Sequence, residues 1–436
     1  MFPMLVFRRR VPALAALLAI AGAAQARPTS ADLSPGATPL RQLIVEAERA
    51  NPGLAAQRQS WQAARTVPTQ VSTLPDPQLT VQEFSVGNPL PFAGYRTSNF
   101  AYTGIGVSQE MPFPGKLHWR GEEARHEAAA RGHEAEAARR ALDEQVKEAY
   151  FNVAAVRARL AALDHDGTLL RQVEEVTEAR YRLGLGRQAD VLTAQLAETA
   201  LLRERAEEQE RQELLEAQLK QILNRPPQSP EIVPEPLRAS PLPESLGQLL
   251  AVADNAGAEI AAESETVRGA DAAVQLARKA FDPDFSVAYM YQRTGPGFPD
   301  YYMLTVNIGL PLHRRGRLQP ALRESILRRG AARDELEAGR REAAFAVQRA
   351  YLTAQTDAQV LKLYQQGLMP QAQAALQAGL AAYRQGKGDF PSLMQSFSEL
   401  LALDQQYWQT LAEHEIALAE IGRITGLALP ATGGAQ

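Results

Sequence analysis

Two stretches of about seventy residues, 116–183 and 317–385, carry few helix breakers, and this limits the fold more than anything else in the chain. At 1.5 Å rise per residue, either would reach about 100 Å as a helix, far longer than a globular core can use. Inside the first, Leu142, Val146, Ala149, Val153, Val156, Leu160 and Leu163 step alternately by four and three. A 3.5-residue apolar period requires partner helices in a left-handed coiled coil. Glu122, Glu123, Arg139 and Arg140 lie off that stripe and read as a solvated face. The fold class must therefore be elongated and mainly helical.

Each rod belongs to a module that occurs twice. Asp76-Pro77 and Asp282-Pro283 each open an apolar alternation, 206 residues apart. Pro112 through Leu117 corresponds to Pro311 through Leu318, with Gly115 and Gly316 standing 201 apart. Val146, Ala149 and Tyr150 match Val347, Ala350 and Tyr351 at the same offset. Tyr181-Arg182-Leu183-Gly184-Leu185-Gly186 matches Tyr383-Arg384-Gln385-Gly386-Lys387-Gly388 at offset 202. Between the copies, Pro226, Pro227, Pro230, Pro234, Pro236, Pro241 and Pro243 exclude a helix. The expected organisation is a signal peptide at 1–26, a first repeat at 27–225, a Pro-rich linker at 226–243, a second repeat at 244–427 and a flexible tail at 428–436.

Each copy reads as a helix, two strands, a very long helix, a glycine turn and a shorter return helix. Leu40 to about Thr66 has helical spacing, broken at Asn51-Pro52. Strands are expected at Gln78–Phe84, Phe100–Gln109, Phe285–Tyr291 and Tyr302–Leu310, from period-two alternation with aromatic enrichment. Ser85–Asn99 and Arg293–Asp300 read as hairpin loops. Return helices are expected through Val191, Leu192, Leu196, Leu215, Leu219 and Ile222, and through Leu393, Phe397, Leu400, Trp408, Leu411 and Leu418. Four strands cannot close a barrel, and the smallest membrane barrels have eight. Exposed edges are unstable, so the chain must pool strands with copies of itself. Three chains would give twelve strands, and two or four chains also satisfy the arithmetic.

The N-terminus indicates export. Arg8-Arg9-Arg10, the apolar run Val11–Ala24 and Ala24-Gln25-Ala26 have the three parts of a cleavable secretory signal. The run is too short for a spanning helix. The chain has no cysteine. This excludes disulfides, thiolate metal sites, a cysteine nucleophile and a lipid anchor on an N-terminal cysteine. A formal net charge of -4 gives no support to nucleic-acid binding. His126-Glu127, His133-Glu134 and His414-Glu415 lack the second histidine of a zinc-protease motif, and no phosphate-binding loop is present. Asp164-His165-Asp166 reads as a solvated break in the rod. No enzymatic activity, metal site or cofactor is expected.

Asn51-Pro52-Gly53-Leu54, Leu74-Pro75-Asp76-Pro77 and Gln109 through Lys116, followed by Tyr181-Arg182-x-Gly184 with Asp190-Val191-Leu192 and by Tyr383-Arg384-x-Gly386, resemble the TolC-type outer-membrane efflux proteins. The resemblance spans essentially the whole mature chain. It implies a homotrimer whose twelve-stranded transmembrane β-barrel sits in outer-membrane lipid, above a helical tunnel that places most of the chain in the periplasm. It further implies a periplasmic adaptor (membrane fusion) protein and a proton-driven inner-membrane pump as partners. The chain itself would be the passive exit duct of a tripartite efflux system. In the family the turns between long and return helices receive the adaptor, which here means Tyr181, Arg182, Gly184, Gly186, Tyr383, Arg384, Gly386 and Gly388. The family's inward acid nine residues after the tyrosine is Asp190 in the first copy. The second copy has Ser392 there, with Gln395 one turn on and Asp389 as the nearest acid. These four residues are the expected pore constriction. The wording of Pro112–Lys116 is similar to branches that serve heavy-metal exporters. The competing reading is a periplasmic coiled-coil adaptor or scaffold; an adaptor would need one hairpin flanked by lipoyl-like and small barrel halves, and the strand alternation argues against a scaffold.

Overall fold

The computed structural model describes residues 36–87, 90, 100–242, 245–295 and 297–429. The expected signal peptide, most of the loop at 85–99, Pro243 and most of the tail lie outside the described residues. The chain opens with α1 (Leu40–Ala50), α2 (Pro52–Ala64) and α3 (Val67–Ser72), followed by β1 (Gln78–Phe84) and β2 (Tyr102–Met111). Next come α4 (Lys116–Arg182), α5 (Gln188–Ile222), α6 (Leu246–Ala256) and α7 (Ala258–Lys279). The second half has β3 (Asp284–Thr294), β4 (Tyr301–Gly309), α8 (Gln319–Leu363), α9 (Met369–Arg384) and α10 (Phe390–Thr425).

The first rod is one helix of 67 residues, and its expected apolar stripe is buried except at half-buried Leu160. The second rod departs from expectation. It holds two five-residue π-helical stretches, Arg314–Leu318 ahead of α8 and Tyr364–Leu368 between α8 and α9. In the second stretch the N–H of Met369 reaches back to Tyr364 O. Pro370 follows at once and has no N–H to donate, so a local widening keeps the rod continuous where a strict α-helix would lose a bond.

Asn51 explains the break between α1 and α2. Its Oδ1 accepts from Leu54 N at 3.1 Å, and Pro52 occupies the first helical turn, where no N–H is needed. Its Nδ2 donates to Ile222 O at 3.2 Å, while Asn224, at φ +54°, returns a bond to Ala50 O at 3.1 Å. The start and end of the first repeat are thus stapled together. The Pro-rich segment is non-helical and strapped down: Ile232 is buried, Glu235 N donates to Tyr150 Oη, and His414 bonds Ser240 O.

The four strands form one antiparallel sheet in the order β1-β2-β3-β4. β2 starts two residues later than expected, and β3 continues through Arg293 and Thr294, which had read as loop; cross-strand pairing extends it, since Tyr102 pairs with Thr294. Register aligns Val81, Ile105, Tyr291 and Tyr302 in one row and Leu79, Val107, Tyr289 and Leu304 in the next. Most of these side chains are exposed. The opposite face carries rows such as Thr80, Gly106, Met290 and Met303, or Gln82, Gly104, Gln292 and Tyr301. Among the described residues β1 and β4 each have a partner on one side only.

At the junction of sheet and helices, Lys116 Nζ lies 2.8 Å from Asp284 Oδ1 and 2.9 Å from Asp282 O. Phe113 N donates to the same Asp284 carboxylate at 2.8 Å, and the Phe113 ring stacks on Phe285. The Pro112–Lys116 and Asp282-Pro283 segments are therefore one latch between the repeats. Among the described residues no helix is long and apolar enough to cross a membrane.

Candidate docking tip and pore constriction

At the far end of the rods α4, α5, α9 and α10 share a core of Leu163, Leu170, Val173, Ala194, Leu201, Leu376, Tyr383, Phe390, Leu393, Phe397 and Leu400. Of the apolar residues that marked the return helix α5, Leu219 is buried while Leu192 and Leu196 are exposed; Ala194 and Leu201, seven residues apart, are buried nearer the tip. The buried heptad positions here are Ala194 and Leu201, and Leu192 and Leu196 fall off that stripe.

Both rods end in the same way. In the first tip Gly184, at φ +72°, follows the helix; Gly184 N bonds Tyr181 O and Leu185 N bonds Arg180 O at 2.8 Å. In the second, Gly386 at φ +76° bonds Tyr383 O, and Lys387 N bonds Ala382 O at 2.9 Å. The six-to-one bond with a left-handed glycine is a Schellman ending, which needs the conformation that glycine adopts freely. Gly186 and Gly388 serve differently. A Cβ there would stand 3.2 Å from Tyr181 N and 3.1 Å from Tyr383 N.

The side chains differ sharply. In the first tip Tyr181, Leu183 and Leu185 are 44%, 74% and 64% exposed, and Arg182 pairs with Glu178 one turn back. In the second tip the corresponding Tyr383 is buried, Gln385 and Lys387 replace the leucines, and Arg384 is exposed. Arg180 joins the two tips. Its Nη1 donates to Tyr383 O at 2.9 Å, its Nη2 to Leu185 O at 3.1 Å, and its guanidinium lies 4.9 Å from the Tyr383 ring centroid. Among the described residues the Tyr383 hydroxyl is buried without a hydrogen-bond partner. Sequence reading passed over Arg180, although one signal was available: its repeat counterpart is Ala382, so the tie can exist only once.

The constriction candidates sit at the starts of the return helices. Asp190 is half-buried in the first turn of α5, where its carboxylate accepts from Arg187 N at 3.4 Å. Asp389 is the residue before α10 and is exposed. The Ser392 side chain, together with N–H groups of Asp389 and Ser392, holds its carboxyl below the usual range. The acid has therefore exchanged places between repeats. Arg187 and Asp190 in the first copy correspond to Asp389 and Ser392 in the second, and a negative group serves the helix N-terminus either way. Ser392 and Gln395 are exposed on the first turns of α10.

Higher in the same core Asp166 is fully buried, and neither carboxylate oxygen has a partner among the described residues. The helix runs through it unbroken, so the solvated break expected at Asp164–Asp166 is absent. Burial, then the nearby Asp404 carboxylate, push Asp166 up to about 6, against the pull of Arg159. Arg159 itself is buried and donates to Glu204 at 2.5 Å. Among the described residues no group of three or more histidines and acids is placed to hold a metal ion.

The family described as outer membrane efflux protein matches residues 43–225 and 254–427. Solved structures share the fold across nearly the whole length. The outer-membrane channel OprN superposes with TM-score 0.76 at 18% identity, covering 90% of each chain. CusC, solved in a study of transmembrane channel formation, gives TM-score 0.76 at 20% identity over 88% of this chain and 91% of its own. The outer membrane protein VceC of Vibrio cholerae gives 0.75 at 20% identity over 88% and 96%. No curated protein matches in sequence.

Proposed function

The chain belongs to the outer membrane efflux protein family, and from that premise we propose that three copies form the passive exit duct of a tripartite efflux system. It is a channel component and not an enzyme. The observation that carries the proposal is the sheet: two apolar rows run across four strands and stop at two unpaired edges, next to a helix of 67 residues. Joining β4 of one chain to β1 of the next removes the edges, and three chains reach twelve strands with an apolar outside and a more polar inside. The rods then extend about 100 Å from the outer membrane into the periplasm.

The first tip is the main adaptor-docking surface in this reading, because Tyr181, Leu183 and Leu185 offer exposed apolar area beside an accessible turn. Arg182, Gly184 and Gly186 shape that turn. The second tip, with Tyr383, Arg384, Gly386 and Gly388, turns inward, and Asp190, Asp389, Ser392 and Gln395 narrow the pore. An inner-membrane pump, proton-driven in this reading, would load the duct through the adaptor. Heavy-metal cations as cargo rest only on the wording of Pro112–Lys116, a segment whose lysine is committed to Asp284. An adaptor is disfavoured by the single sheet formed across two full modules.

Membrane fractionation tests the reading. The protein should remain in the outer membrane until detergent is added, and cells lacking it should accumulate exported compounds. Recovery as a soluble periplasmic monomer would end the proposal.

A further inference from the structure

Where β4 runs out, the character of the chain changes within three residues. Tyr302, Leu304, Val306 and Ile308 are exposed along β4, and Leu310 and Leu312 continue their alternation at 66% and 78% exposure. His313, Arg314 and Arg315 come next, all exposed. Several neighbouring cations are engaged: Lys116 with Asp284, Lys279 with Asp282, Arg328 with Glu324, and Arg329 and Arg333 with Asp271. Among the described residues Arg314 and Arg315 have no ion pair. Arg317, which also has no ion pair among the described residues, lines the cleft between α4, α7 and α8 together with Asp282 and Asp284.

The backbone here is well tied. Arg314 N bonds Leu312 O at 2.9 Å, and Leu318 N reaches His313 O in the π-helical stretch. The repeat does not require this composition, since the corresponding residues of the first copy are Phe113 and Pro114, with Phe113 packed on Phe285. Apolar side chains followed at once by unpaired arginines match the order in which a bilayer presents hydrocarbon and then phosphate.

We propose that Arg314 and Arg315 form a binding surface for the phosphate headgroups of anionic phospholipids at the periplasm-facing rim of the barrel, an inference that rests on the barrel reading above. The competing occupant would be the next chain. Antiparallel closure sets the start of its β1 beside the end of β4, and between Val67 and Gln78 it offers only Asp76. One carboxylate cannot neutralise two arginines, so positive charge is left for lipid.

The test titrates the purified detergent-solubilised trimer with phosphatidylglycerol, phosphatidylcholine or inorganic phosphate, and counts bound lipid by native mass spectrometry. Phosphatidylglycerol should be preferred over phosphatidylcholine by ten-fold or more, and millimolar phosphate should not displace it. At roughly one basic residue's worth of surface attraction each, Arg314→Gln with Arg315→Gln should weaken phosphatidylglycerol about thirty-fold. Arg314→Lys with Arg315→Lys should retain most of the preference. Equal binding of the two lipids, full displacement by phosphate, or unchanged binding by the Gln variant would overturn the proposal. So would a Gln variant unable to form trimers, because the arginines would then belong to the contact between chains. A wild-type protein that is not trimeric in detergent sinks the barrel reading instead, whereas a trimer indifferent to phosphatidylglycerol sinks this proposal alone.

Discussion

The two helical tips have the same backbone and opposite surfaces. Each ends in a left-handed glycine with the same six-to-one bond, yet the first exposes Tyr181, Leu183 and Leu185 while the second buries Tyr383 and shows Gln385 and Lys387. Duplication copied what the main chain requires and left the side chains free to specialise. Apolar surface that water would penalise persists only where something covers it, and a polar turn held by Arg180 needs no cover. This contrast is what supports the proposal that the first tip docks the adaptor and the second faces the pore.

The largest effect should come from the exposed leucines. Leu183→Glu with Leu185→Glu should reduce export at least ten-fold without disturbing the trimer, because charge replaces buried apolar contact with the adaptor. Gln385→Glu with Lys387→Glu should change export less than two-fold. Drug or ion sensitivity of complemented cells measures both, and equal losses would erase the distinction between the tips.

Arg180 comes next. Its removal breaks two hydrogen bonds and the contact with the Tyr383 ring that join the tips. Arg180→Ala should raise single-channel conductance in planar bilayers several-fold, by freeing the second tip. An unchanged conductance would mean that Arg180 serves packing alone.

How far the sequence could reveal this depends on what each feature required. The 3.5-residue stripe, the glycine endings and the strand alternation were legible because each is a backbone demand with a fixed period. The π-helical stretches were not, since nothing in a heptad pattern reports one extra residue absorbed in a turn. The two glycine turns proposed for docking were legible as positions but not as surfaces: Tyr181 and Tyr383 look identical until Arg180, whose counterpart is Ala382, covers only one of them. Asp166 was misread because a carboxylate ordinarily marks solvent. Here it continues the buried steps Leu163, Asp166, Leu170, Val173 and Thr177.

Asp166 also offers a smaller test of how the rods differ, since the π-helical stretch at Tyr364–Leu368 stands at the same height in the second repeat. A carboxyl raised to about 6 in the folded state is penalised once deprotonated. Its contribution is therefore best at low pH and is lost as pH rises from the unfolded value towards and through 6. Thermal stability should fall over that window in the wild type. Asp166→Asn should flatten the profile and gain at most about 3 kcal/mol at pH 7.5. A wild-type profile matching the variant would place a compensating cation at the site.

The smallest effect should be on selectivity. Asp389 is exposed, whereas Asp190 is half-buried and bonded to Arg187 N. Asp389→Asn should therefore lower cation preference more than Asp190→Asn, by less than two-fold and less still at high salt, where screening acts over about 10 Å or below. Because the Asp389 carboxyl is held low, the wild-type preference should persist until pH falls below the usual carboxylate range. If the two variants match the wild type in reversal potential, both acids are helix-start residues only.

The proposed sharing of strands between chains underlies all of this, and the absence of cysteine makes it directly measurable. Single cysteines placed near the start of β1 and the end of β4, Leu79→Cys with Ile308→Cys and neighbouring pairs, can be oxidised in outer-membrane vesicles and read on a denaturing gel. Closure of a barrel from three chains gives covalent dimers and trimers and no larger species for the pair in register. Monomers alone for every pair, or a ladder extending past three chains, would contradict it.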